Sequence, residues 1–124
     1  MINPNYAYPY YSRGNAYQAK GDYSQAISDY TKAIEIDPNF VEAYYNRGLA
    51  YGKINNLDQA IADSSKVIEI DPNFVEAYNN RALAYFYNND YDKSWLDVHK
   101  AEGLGYKVNP DFIEALKKAS GGEK

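Results

Sequence analysis

The chain has no cysteine, and its 124 residues include only one His, one Met and one Trp. Without cysteine it can form no disulfide and offer no thiolate, although this leaves the compartment open. Lysine and arginine are outnumbered by acids, 13 against 17, for a net charge of −4. A phosphate backbone is repelled on average, so nucleic acid is not an expected partner. No apolar run is long enough to cross a membrane and no secretory h-region follows Met1, so the expected location is cytoplasmic. The sole histidine, His99, reads as a solvated side chain with no acid or metal-type cluster around it. Gly103-x-Gly105 follows no strand and reads as a helix stop, not a phosphate loop. No catalytic constellation, metal set or cofactor motif emerges. What the chain has in plenty is tyrosine, fifteen residues, each with an apolar body and a polar tip suited to packing and to contact surfaces.

It also repeats itself. Residues 34–44, Ile-Glu-Ile-Asp-Pro-Asn-Phe-Val-Glu-Ala-Tyr, recur letter for letter at 68–78, a period of 34. Divided at that period the chain gives blocks 7–40, 41–74 and 75–108; the first two agree at 18 of 34 places and the last two at 13, more than chance allows. Residues 1–6 hold Ile2-Asn3-Pro4-Asn5-Tyr6, which mirrors Ile36 to Phe40 and reads as the remnant of a repeat joint.

Each block reads as two helices. In the second block Tyr44, Gly48 and Tyr51 form one helical stripe, Asn55-Asn56 breaks it, and Ala60, Ile61, Ser64, Val67 and Ile68 form another. Asp71-Pro72-Asn73 stops the second helix, because proline disfavours helix in the residue before it. Asn39 and Asn73 stand three before Glu42 and Glu76 and are expected to cap the following helices. Small residues (Gly14, Gly48, Ala82; Ala26, Ala60, Ser94) alternate with large ones (Tyr17, Tyr51, Tyr85; Tyr23, Leu57, Tyr91), as close helix crossing requires. Such a pair cannot bury its own face, so neighbours must stack.

Arg13, Arg47 and Arg81 recur at one place in the first helices, and Asp29, Asp63 and Asp97 at one place in the second. A desolvated Arg needs a partner, and recurrence in every block points to a structural Arg–Asp ladder; a binding role for one of the arginines is the alternative.

The period, the aromatic-x-x-x-Gly/Ala-x-x-Tyr pattern of each first helix, the alanine of each second helix and the closing Asp-Pro resemble the tetratricopeptide repeat over residues 7–108. The third block departs from the pattern: Gly103 to Val108 replaces Asp-Pro and Ser94 takes the alanine place. The resemblance implies an all-α, right-handed superhelical solenoid of three antiparallel helix pairs. A capping helix at 109–119 and a disordered tail at 120–124 complete the expected layout. It further implies that ligands, usually extended peptides, lie on the concave side lined by first helices. The matching groove residues are Tyr8, Tyr11, Asn15, Tyr45, Asn46, Leu49, Asn79, Asn80, Leu83, Phe86 and Tyr87. Asparagines can meet a peptide backbone and the apolar side chains can anchor it, although these aromatics can equally serve only to fill the inner curve. Chaperone-binding members clamp a C-terminal carboxylate with two Asn and three cations. Here Asn15 and Asn46 match, but the cationic places hold Tyr11, Glu76 and Asn80, so an acidic terminus is not the expected ligand.

The expected function is therefore non-catalytic binding of a partner peptide. The rival is a self-associating assembly unit, or part of a longer array, with a homodimer through Tyr6, Tyr10 and Tyr17 at the N-terminal end.

Overall fold

A computed structural model describes residues 2–122. Seven α-helices follow one another: α1 Ala7–Ala19, α2 Tyr23–Ile36, α3 Val41–Lys53, α4 Leu57–Ile70, α5 Val75–Tyr87, α6 Tyr91–Gly103 and α7 Pro110–Ser120. They form three antiparallel pairs, α1/α2, α3/α4 and α5/α6, each packed on the next, with α7 laid against α6. This is an all-α repeat solenoid.

The twice-written stretch builds the turn between pairs, and most of its letters have a task. An Asp37 carboxylate oxygen accepts from Asn39 N–H at 3.1 Å. The Phe40 N–H donates to the Asp37 carbonyl at 3.1 Å. The Tyr44 hydroxyl then reaches back to the Pro38 carbonyl at 2.9 Å. Asp71, Asn73, Phe74, Tyr78 and Pro72 repeat the arrangement. Near the start, Asn3 takes the aspartate's part, accepting from Asn5 N–H at 2.9 Å. The expectation that Asn39 and Asn73 cap α3 and α5 is corrected. The capping residues are Phe40 and Phe74, without a side-chain cap bond, because the preceding aspartate closes the turn instead. Glu42 and Glu76 still lie in the first turns, where the helix dipole favours a negative charge.

Within each pair the turn passes through one left-handed residue: Gly21 at φ 79°, Asn55 at 62° and Asn89 at 63°. Asn tolerates this region better than other side chains, and this explains Asn-Asn where the helical pattern breaks.

Small residues dominate the core of the first two pairs. Ala26, Ala33, Ala43 and Ala50 are fully buried, and Ala77 of α5 is buried against the second pair from the third. The heaviest packing is at the far end, where Trp95, Val98 and Ala101 meet Phe112 and Leu116 of α7. Ser94, at the place held by Ala26 and Ala60, satisfies its buried hydroxyl by donating to the Ala82 carbonyl at 2.7 Å.

The last helix starts and ends differently from the expectation. Pro110 is its first residue, and the Asn109 side chain caps it by accepting from Asp111 N–H at 2.8 Å. Ser120, expected in a disordered tail, is helical. Its hydroxyl oxygen lies 2.7 Å from the Leu116 carbonyl and accepts from Trp95 Nε1 at 3.0 Å. Gly121 closes the helix in the left-handed region at φ 81°. Residues 123 and 124 of the expected tail lie outside the described residues.

No described helix is long and apolar enough to cross a membrane.

Candidate functional site

The first helices α1, α3 and α5 carry a connected row of aromatic and amide side chains. Tyr11 packs on Phe40 with centroids 4.8 Å apart and the rings tilted by 38°, and Tyr45 packs on Phe74 in the same way. Here the phenylalanine of each joint meets the preceding first helix. Asn46 Nδ2 donates to the Tyr11 hydroxyl at 3.2 Å and to Asn15 Oδ1 at 3.0 Å. One block on, burial pushes the Tyr45 phenol pKa up from its ordinary value, and the neighbouring Asn80 side chain partly opposes the shift. Asn15 and Asn46, two of the four asparagines expected to meet a peptide, are thus bonded to each other.

The structure brings Tyr8, Tyr11, Asn15 and Asn46 into one patch, Tyr8 lying 5.8 Å from the Tyr11 ring. Asn79 stands at the place of Tyr45 and Val108 at that of Phe74, so the aromatic pair is not repeated a third time. Phe86 turns towards the cap, edge-on to Phe112 at 5.5 Å and to Tyr87 at 5.1 Å. Tyr8 and Tyr87, 66% and 65% exposed, mark the two ends of the row.

Tyr30 was not among the sequence candidates. It is wholly buried, and its hydroxyl oxygen lies 2.6 Å from Asn15 Oδ1 and 2.8 Å from Gln18 Oε1. A Cβ built on Gly14 would stand 2.7 Å from its ring, so this glycine is what admits the tyrosine. The expected N-terminal stripe Tyr10–Gly14–Tyr17 is accordingly interrupted: Gly14 is covered by Tyr30, and Tyr10 lies beneath the Arg13 guanidinium at 5.9 Å. Tyr6 remains 62% exposed.

At the place of Tyr30 the second block has Ser64. A cleft of about 300 Å³ opens there between α3, α4 and α5, bounded by Gly48, Leu49, Gly52, Ser64, Leu83 and Tyr87 among others. Aligning identical residues hides this site, because its signal is a difference between blocks at one register.

The arginines and aspartates meet in all three pairs. Arg13, Arg47 and Arg81 each grip Asp29, Asp63 and Asp97 with two parallel bonds of 2.7–2.8 Å. Arg47 also donates to Thr31 Oγ1 and Arg81 to Ser65 Oγ, both at 3.1 Å, tying each pair to the one before. Tyr44 and Tyr51 flank Arg47, and Tyr78 and Tyr85 flank Arg81. All three guanidinium pKa values are raised. The aspartate hydrogen bond is the main cause for Arg13 and Arg81; for Arg47 burial is the largest single influence and lowers the value, but the Asp63 hydrogen bond and the electrostatic attraction of Asp63, Tyr51 and Tyr44 together outweigh it. The Arg13 side chain is 49% exposed, against 16% and 20% for Arg47 and Arg81.

His99 occupies the place of Thr31 and Ser65 and is not without an acidic neighbour. It stacks on Trp95 and lies 3.8 Å from Glu102, correcting the expectation that no acid is near. No group of three or more His, Cys, Asp or Glu able to hold a metal occurs among the described residues.

Models of the "TPR repeat" and "Tetratricopeptide repeat" families match residues 18–55, 41–74 and 65–95. No curated protein sequence matches the chain. Among solved structures it is similar to the TPR2B domain of yeast Sti1 in complex with pHsp70. The two are 31% identical with a TM-score of 0.80, over 93% of this chain and 95% of that one. It is also similar to the first TPR of Spaghetti (RPAP3) bound to the HSP90 peptide SRMEEVD, at 25% identity and a TM-score of 0.84 over 97% and 94%. MamA gives 30% identity and a TM-score of 0.81, but the chain spans only 60% of that protein's length.

Proposed function

The chain belongs to the tetratricopeptide repeat family, and on that premise we propose that it is a non-catalytic module binding an extended partner peptide along the face of α1, α3 and α5. The observation that carries the reading is the continuous row on that face. Exposed Tyr8 and Tyr87 stand at its ends, with half-buried Asn46, Leu49, Asn80 and Leu83 between them. Amides suit a peptide backbone of any sequence, and the aromatic and aliphatic groups supply anchors. Similar structures hold chaperone peptides, and this supports the peptide class.

The ligand chemistry differs from those neighbours. Tyr11, Glu76 and Asn80 present no cation to a carboxylate, and Glu76 repels one. A neutral or mildly basic segment with apolar anchors fits better. Calorimetry with the acidic peptide SRMEEVD tests this: no measurable binding is expected at ~100 μM, and tight, salt-sensitive binding would overturn the reading.

A second reading, self-association through the N-terminal end, is favoured by one observation. Arg13 is the most exposed of the three arginines, and Tyr6 lies open beside α1, which no helix precedes among the described residues.

A further inference from the structure

The three blocks place one register of side chains between their paired helices, and they fill it differently. In the first block Gln18 and Tyr30 meet there, and the phenol closes the space completely. In the third block the same two places hold Phe86 and Val98, and Phe112 of α7 packs edge-on against Phe86. In the second block they hold Gly52 and Ser64, the smallest pair of the three. The fold therefore fills two of its three equivalent sites with its own aromatic rings and leaves the middle one open, at about 300 Å³.

We propose that this middle cleft takes one unhydroxylated apolar side chain, a phenylalanine or leucine, from the partner peptide. The proposal rests on the peptide-binding reading above and adds the identity of its main anchor. Size follows from the equivalent sites, each of which accommodates an aromatic ring. Polarity follows from the first block, where the Tyr30 hydroxyl is satisfied by Asn15 and Gln18. Their counterparts in the second block are Leu49 and Gly52, which offer no side-chain acceptor, and the polar side chains of the lining are Ser64, Asn80, Lys53 and the hydroxyl of exposed Tyr87. A mostly apolar lining rewards a bare ring or branched chain more than tyrosine, whose hydroxyl has Ser64 alone at the floor of the cleft to meet. At the rim, Asn80 offers an amide to the peptide backbone beside the anchor.

A library of random dodecapeptides, selected on the protein and followed by calorimetry of the best binder, tests the proposal. Selected peptides should share one Phe or Leu, and its replacement by Ala should weaken binding at least tenfold, with Tyr intermediate or as weak. The triple variant Leu49→Asn, Gly52→Gln, Ser64→Tyr rebuilds the first block's closed site and should weaken the same peptide at least tenfold. Ser64→Leu alone, with a melting curve to show that it folds, serves as the second filling variant. If the filled variants fold and bind the peptide as the parent does, the cleft is not the anchor site, while the groove reading stands. Should Tyr bind as well as Phe, the polarity assignment fails. A library that yields no binder overturns both the anchor and the peptide-binding reading. Should the parent instead sediment as a dimer that Ser64→Leu dissociates, a second copy fills the cleft, and the partner peptide is overturned as its occupant.

Discussion

Each arginine of the ladder does two things at once: it grips an aspartate within its own pair, and, from the second block on, it reaches a hydroxyl of the pair before. Replacing Arg47 by Ala leaves Asp63, 3% exposed, without its cation and Thr31 without its donor. The expected cost is about 3–5 kcal/mol, read as a fall in the denaturation midpoint. Arg47→Leu combined with Asp63→Leu should recover much of it, and a midpoint unmoved by Arg47→Ala alone would refute a structural role. Arg13→Ala should cost less, because Arg13 is half exposed and its charge is already screened by water. Tyrosines make a second prediction at this scale. Burial raises the phenol pKa of Tyr30 and Tyr45 above the ordinary 10.0. Both stay protonated in the folded chain after their unfolded counterparts begin to ionise. Their contribution is thus fully present below about pH 10 and is lost as pH climbs from there towards the folded values. Urea midpoints from pH 8 to 11 should hold steady and then fall. Tyr30→Phe should shallow that fall while losing about 1 kcal/mol at neutral pH with its hydroxyl contacts; an unchanged slope would contradict the assignment. The Arg–Asp pairing was legible in the sequence because both partners recur at the period. Thr31 and Ser65 were not, because their task lies in the next pair and the third member of their column is His99.

The helices and their joints were the most legible part, since two joints of one geometry use the same residues. What sequence spacing misassigned was the capping partner. Asn-x-x-Glu has the pattern of a capping box, yet the aspartate two residues earlier already holds the turn's free N–H. The cleft was invisible for a different reason: Tyr30, Ser64 and Val98 break the repeat, and only the packing reveals what the breaks do. Glycines on the first helices give the test at this scale. Gly14→Ala brings a Cβ within 2.7 Å of the Tyr30 ring, which is fully buried and cannot swing away. A cost of about 1–3 kcal/mol is expected. Gly48→Ala, at the same register, meets Asp63 Cβ at 3.2 Å and faces the short Ser64 side chain. The gain in helix propensity, about 1 kcal/mol, should offset that contact and leave stability nearly unchanged. Thermal melts of the two variants would separate these outcomes, and equal effects would mean that Tyr30 does not fill the first site as described.

At the scale of the whole molecule, the two ends of the solenoid differ. At one end α7 lays Phe112 and Leu116 over Trp95 and Val98, and the Trp95 indole is held by Ser120. At the other, α1 has no described helix before it, although it is built like α3 and α5, which do. The consequences are visible residue by residue. Phe40 and Phe74 are covered by the preceding first helix, whereas their counterpart Tyr6 is 62% exposed. Arg47 and Arg81 donate to a hydroxyl of the helix before, and Arg13 stays half open. We propose that this face is an association surface in the chain as it stands, and that a two-fold dimer of α1 against α1 covers it without disturbing α7. Gly14 is sealed by Tyr30, so the proposed contact is made by Tyr6, Tyr10, Tyr17 and the Arg13 edge. We therefore predict concentration-dependent dimers, measured by sedimentation up to ~100 μM, and a shift towards monomer on replacing Tyr6 and Tyr10 by Ser. A strict monomer at that concentration would end the proposal, since a dissociation constant above about 10⁻⁴ M corresponds to less than ~5.5 kcal/mol of association free energy. Dimers that persist unchanged in the double variant would move the contact to the tyrosine-rich face of the first helices.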